Sequence, residues 1–170
     1  MFVSEATVAD AAELNMLVNT SYRGERSKKG WATEAHLLDG NRIDEETVIE
    51  YLSNPAITIL KYTGDDGELK ACVYLEHKGD KLYLGMLSVL PELQAGGIGR
   101  LLLEEAEAFA KKKGIGTITM TVISSRTELL AWYVRRGYHY NGEILPFHAD
   151  KKFGVPRIHI ELAVLEKHIK

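Results

Sequence analysis

A single cysteine, Cys72, rules out any disulfide within the 170-residue chain. It lies in a segment that alternates apolar and polar residues and has no partner motif, so it is expected to be a buried strand thiol. Long apolar runs are also missing. None approaches the ~18 residues of a membrane span, and Met1-Phe2-Val3-Ser4-Glu5 lacks the apolar core of a signal peptide. A cytoplasmic protein with no membrane partner is expected. Basic charge is scarce as well: 21 Lys and Arg stand against 24 Asp and Glu, a net charge of −3. Lys111-Lys112-Lys113 and Lys151-Lys152 are too short to make a phosphate-neutralising face, so no nucleic-acid partner is expected. His36, His77, His139, His148, His159 and His168 are scattered without metal-ligand spacing, and no metal is expected.

What remains is an ordinary globular composition, 45% apolar and 26% charged, in one domain over residues 1–170. Met1–Ala6 reads as a strand. Thr7 and Asp10 have capping-box spacing before a helix carrying Leu14, Leu17 and Val18 that fades near Tyr22. Residues 22–42 have no sustained period, the mark of a functional loop, with room for a short helix around Glu34–Leu38. Asp44 caps a second helix that Asn54-Pro55 ends. The turns Gly64-Asp65-Asp66-Gly67 and Gly79-Asp80 then join three strands, Ile57–Leu60, Leu69–His77 and Lys81–Val89, into an antiparallel series.

After Pro91 the period changes to about 3.6. Ile98, Leu102, Ala106 and Phe109 form one stripe of a helix that stops at Gly114, behind three lysines suited to its C-terminal dipole. Thr117–Ile123 is a β-branched strand, and Ser125-Arg126-Thr127-Glu128 is a capping box for a helix ending at Gly137. Tyr138–Glu143 and Arg157–Val164 read as the last strands, around the loop Pro146–Pro156. The order β-α-α-β-β-β-α-β-α-β-β predicts an α+β or mixed α/β fold.

Chemistry concentrates at Leu87–Arg100, where a glycine-rich turn lies between a strand and the strongest helix. Such a turn aims backbone N–H groups and a positive dipole end at one point, which suits a pyrophosphate. A plain tight turn is the ordinary alternative. A Walker loop would need Lys-Ser/Thr where Arg100-Leu101 stand, and a dinucleotide fingerprint would need a small residue at Leu102 and an acid at Thr119. Gln94-Ala95-Gly96-Gly97-Ile98-Gly99 matches the Q/R-x-x-G-x-G/A signature of the GNAT N-acetyltransferases. Leu87, Val89 and Pro91 match the preceding L-x-V-x-P, and Tyr133 to Tyr138 match Y-x-x-x-G-F/Y. From about Lys81 to Gly142 the chain resembles that superfamily residue by residue, and elsewhere in element order.

The resemblance implies a central, mostly antiparallel sheet whose fourth and fifth strands, ending at Val89 and Ile123, splay around acetyl-CoA. The pyrophosphate is expected on the Gln94, Ala95, Gly96, Gly97, Ile98, Gly99 and Arg100 turn, and the pantetheine arm along Leu87, Ser88 and Val89. The Val89 N–H would polarise the thioester carbonyl. Tyr133 falls where the family has its general acid. The ordinary alternative is a ring packed between helix and sheet.

The family's Asn seven residues earlier is Arg126 here, which shares a helical face with Tyr133 and could reach the cofactor. No acid lies on the strand ending at Val89, so Glu76 on the preceding strand becomes the candidate base. Tyr22, Trp31, Glu34 and His148 are expected beside the acceptor, a primary amine of a small molecule. A peptide acceptor, or a non-catalytic acyl-CoA-binding module, is the competing reading. A homodimer is the base-rate expectation.

Overall fold

The computed structural model describes residues 3–22, 38–39, 43–94, 96–146, 155–156 and 160–169. Strand β1, Val3–Glu5, leads to Thr7, whose N–H donates to Asp10 Oδ2 at 2.8 Å in a capping box. One 3-10 turn, Val8–Asp10, then feeds α1, Ala11–Tyr22, which stops where the period fades. Leu38–Asp39 forms a two-residue strand, β2, so Leu38 is not helical; the rest of the expected Glu34–Leu38 helix lies outside the described residues. Helix α2, Glu45–Leu52, starts at Asp44, whose Oδ1 accepts the Thr47 N–H at 2.8 Å.

Strands β3 (Ile57–Thr63), β4 (Leu69–Lys78) and β5 (Lys81–Val89) form the expected antiparallel series. Then follow α3 (Ile98–Lys112), β6 (Thr117–Ile123), α4 (Thr127–Arg135) and β7 (His139–Pro146), with short β8 (Val155–Pro156) and finally β9 (Glu161–His168). The order across the main sheet is β1-β3-β4-β5-β6-β9-β7, antiparallel except at β5/β6, and β2 pairs with β8 apart from it.

Other sequence expectations shift as well: β7 runs on to Pro146 rather than ending at Glu143, and Val155–Pro156 of the expected loop form β8. The N-cap of α4 is Arg126 rather than Ser125, and it makes no side-chain cap hydrogen bond, because the turn out of β6 closes with Arg126 N–H on Ile123 O at 3.0 Å. The last strand is Glu161–His168 rather than Arg157–Val164. The full length of β6 pairs with it, from Thr117↔His168 to Ile123↔Leu162, and that pairing carries it past Val164.

Helices cover the two faces of the sheet. On one face Leu102, Leu103, Ala106 and Ala110 of α3 and Leu130 and Tyr133 of α4 pack on Val73, Leu75, Leu84, Ile118 and Met120. On the other, Leu14, Leu17 and Val18 of α1 and Val48 of α2 cover Ile59, Cys72 and Tyr74. Each fully buried leucine contributes roughly 1.5–3 kcal/mol.

Cys72 is the buried strand thiol the sequence predicts. Burial pushes it up to about 12, with the nearby Ser88 hydroxyl opposing the shift. It should therefore resist iodoacetamide at pH 8 in the native protein and react within minutes in denaturant; rapid native labelling, read by intact mass, would contradict this packing.

Candidate active site

The parallel pair β5/β6 touches only at Leu82↔Ile118 and Tyr83↔Thr119, and beyond these residues the strands part. This is the expected splay. Its cause lies in β5. Tyr74 pairs with Gly85 but Cys72 with Ser88, so β5 carries one extra residue, a β-bulge at Met86-Leu87. Met86 has φ 52, the one positive value at a non-glycine residue among those described. Strain of this kind is retained where surrounding structure over-determines it.

The bulge sets which backbone groups face the gap. Leu90 N–H bonds Lys70 O at 3.0 Å, so Ser88 and Leu90 spend their polar groups on β4 while Leu87 and Val89 turn theirs away from it. The carbonyls at those two positions receive side chains: Tyr22 OH donates to Leu87 O, and Ser21 Oγ and Gln94 Nε2 donate to Val89 O at 2.9 and 2.8 Å. The Val89 N–H, like its carbonyl, points away from β4. Ser88 is buried, with its hydroxyl on Met86 O at 3.0 Å.

At the end of β5 a 3-10 turn, Pro91–Leu93, leads through Gly96 to Gly97, the N-cap of α3 in left-handed conformation with φ 91. A Cβ at Gly97 would meet nothing within 4 Å, so the turn is open outward there. A Cβ at Gly99 would lie 3.7 Å from the Trp132 ring and 3.8 Å from Val89 Cγ2, which seats the first turn of α3 against α4 and β5. The amides of Ile98, Gly99 and Arg100 begin the helix, and no acid occupies its first turn. An open, left-handed glycine before three helix-start amides fits a pyrophosphate. Ala95 lies outside the described residues.

Tyr133 belongs to the core on the α3/α4 face, 6% exposed, in edge-on contact with Trp132 and Tyr138. Burial pushes its phenol above the ordinary range; Tyr22 and Tyr83 add to this and Arg126 opposes it. Tyr22 and Tyr83 pack with the opposite face of the sheet.

On that opposite face a cavity of about 620 Å³ lies over β4, β5, β6, β7 and β9. Tyr74, Glu76, Tyr83, Thr121 and Glu143 are among its walls. Tyr74 OH donates to Glu76 Oε1 at 2.6 Å, and burial followed by this carboxylate raises the phenol. Tyr83 OH and Thr121 Oγ1 are 3.2 Å apart, bridging β5 and β6 just where they part. Gly85 makes room for this ring, since a Cβ there would sit 3.0 Å from Tyr83 Cε1.

Of the residues singled out from sequence, Arg126 and Tyr22 lie near enough to Tyr133 to influence it, Tyr22 bonds Leu87 O at the bulge, and Glu76 lines the cavity. Trp31, Glu34 and His148 lie outside the described residues. Sequence reasoning missed Tyr74, Tyr83 and Thr121. Gly85, a lone glycine inside a strand, was the available signal for the bulge and for the ring beside it.

Among the described residues no three His, Cys, Asp or Glu converge on a metal position, and no helix is long and apolar enough to cross a membrane. No functionally curated protein matches the chain. Solved structures do. The ribosomal-protein-S18-alanine N-acetyltransferase of Escherichia coli superposes with TM-score 0.74 at 17% identity, over 99% of this chain and 94% of its own. A ribosomal-protein-alanine N-acetyltransferase from Brucella melitensis gives 0.74 at 20%, over 99% of each chain. The PaiA N-acetyltransferase of Thermoplasma acidophilum, in complex with coenzyme A, gives 0.68 at 21%, also over 99% of each. At these identities the likeness carries the fold. The family model for the acetyltransferase (GNAT) family matches residues 29–138, well over half of the chain. With its splayed strands and glycine turn, the chain belongs to the acetyltransferase (GNAT) family.

Proposed function

We propose that the chain, as one domain, transfers the acetyl group of acetyl-CoA directly to a primary amine of a small molecule. The carrying observation is the arrangement around the parted strands. The glycine turn follows β5 where it parts from β6, buried Tyr133 packs on the α3/α4 face, and the Glu76 cavity lies on the other. Acetyl-CoA supplies an activated thioester. The Val89 N–H is the donor for the acyl oxygen, a role that a fixed backbone dipole fills without reorganisation.

Tyr133 holds its proton throughout the neutral range and is the group that protonates the departing sulfur. Glu76 takes the amine proton, with Tyr74 fixing the carboxylate orientation. A lysine-like amine of pKa ~10.4 is neutral in only about one molecule in 2,500 at pH 7, so such a base has work to do. The cavity volume of about 620 Å³ suits a small acceptor. Its walls carry Glu76, Glu143 and Glu166 against Lys78 and Lys81, an excess of one negative charge.

The test is amine-dependent release of free CoA across polyamines, amino acids, aminoglycosides and short peptides. Turnover is expected with a small amine. Turnover on peptides alone would move the acceptor class, and none on any amine would sink the enzymatic reading. Glu76→Gln should lower kcat/KM by about 10²–10³ at pH 7, and the defect should shrink towards pH 10 as the amine loses its own proton. A pH-independent defect would remove Glu76 from the base role.

A further inference from the structure

Beside the glycine turn three arginines gather with little to neutralise them. The Arg136 guanidinium lies over the Trp132 ring, 4.2 Å from Cζ to the ring centroid, and its Nη1 donates to Trp132 O at 3.1 Å. Stacking and tether together hold the group in one orientation. With Nη1 spent, the Nε–Nη2 edge faces no protein acceptor, and Nε is a buried donor with no hydrogen-bond partner. Nε lies covered, so Nη2 carries the donors left for a phosphate to reach.

The same Trp132 ring packs on the Gly99 position, which ties Arg136 to the first turn of α3. Arg100 follows Gly99 there, and among the described residues its only carboxylate is Glu104, 3.3 Å away in an exposed pair. Among the described residues neither Arg135 nor Arg136 has an ion-pair partner. Burial, then Arg135 and Arg100, hold Arg136 below the ordinary guanidinium range. Like charges kept this close cost stability until an anion joins them.

We propose that Arg136, with Arg135 and Arg100, forms a phosphomonoester subsite that reads the 3′-phosphate of coenzyme A. The subsite rests on the acetyl-CoA reading above and extends it to a selectivity. The pyrophosphate is the ligand suited to the glycine turn, and the 3′-phosphate is a separate dianion one ribose away from it. The arginines stand beside that turn, where a second dianion would supply the missing negative charge.

Calorimetric titration with CoA and with 3′-dephospho-CoA tests this without any turnover. The wild-type chain should bind CoA about tenfold or more tightly than the dephospho form, the equivalent of one charge-assisted pair. Rising ionic strength should narrow that difference. Arg136→Gln should weaken CoA alone and bring the two ligands level. Arg135→Gln alters an exposed side chain and should narrow the difference too, so the test stays decisive if Arg136→Gln fails to fold. Equal wild-type affinities would overturn the subsite, as would variants that weaken both ligands alike. Binding of neither ligand by the wild type would instead overturn the coenzyme A reading itself.

Discussion

Tyr133→Phe should fold as the parent does, bind acetyl-CoA almost as tightly, and lose about 10²–10⁴ in kcat. The ring sits in the core against Trp132 and Tyr138, and phenylalanine keeps those contacts while deleting only the hydroxyl. With a thiol near pKa 8.5 and a phenol near 10, full proton transfer to a free thiolate is uphill by about 2 kcal/mol. Burial raises the phenol further, so the benefit comes as charge develops on sulfur inside the closed gap. The direction of the shift also sets the pH behaviour. A phenol raised in the folded state stays protonated past pH ~10, where the unfolded chain begins to release its proton. Turnover should thus show no loss from Tyr133 ionisation below that pH, while the denaturant midpoint falls above it. The rate comparison needs single-turnover conditions, because slow product release would conceal a chemical defect. A single-turnover rate within about threefold of the parent would return Tyr133 to a packing role.

Gly97→Asn should abolish stabilisation by coenzyme A while leaving the unliganded fold close to wild type. Asparagine tolerates the left-handed conformation that Gly97 adopts at φ 91, so the backbone remains as it is. Its side chain then projects into the open space where a glycine Cβ would meet nothing, and so obstructs an anion approaching the turn. Gly97→Val adds backbone strain of about 1–3 kcal/mol to the same obstruction, and comparing the two variants separates strain from blockage. For the parent, ligand at about 100 times Kd contributes ~2.7 kcal/mol, or roughly 5–10 °C in Tm for a chain of this size. Persistence of that shift in the folded asparagine variant would show that the anion binds elsewhere.

Local rules carried most of the element pattern. Thr7 with Asp10, and Asp44 with Thr47, cap the helices their sequences announce. The glycines of 64–67 and 79 turn the antiparallel strands, and the glycine turn stands at the head of α3. Errors arose where two local signals competed. Ser125 has the capping-box spacing, yet the turn out of β6 consumes one more residue and α4 starts behind Arg126. At β9 the alternation through Ile158, Ile160, Leu162 and Val164 is uninterrupted, so nothing local marks its start, and pairing with β6 decides it. The cavity was the least legible part. Tyr74, Tyr83 and Thr121 are distant in sequence, and they meet only through the register of β4, β5 and β6, which no local signal announces.

The position of β9 has a consequence for biogenesis. Although β7 precedes it in the chain, β9 lies between β6 and β7 and bonds to both, with β6 along its full length. As the ribosome delivers the chain in order, β6 and β7 emerge with their hydrogen-bonding edges open and no route to each other. Completing the sheet requires a late strand to enter between two waiting ones, a non-local pairing that is slow to form. During that interval the bare edges are templates for other chains. Damage to β9 should therefore surface as poor yield of native protein during synthesis, before any defect in catalysis could be observed.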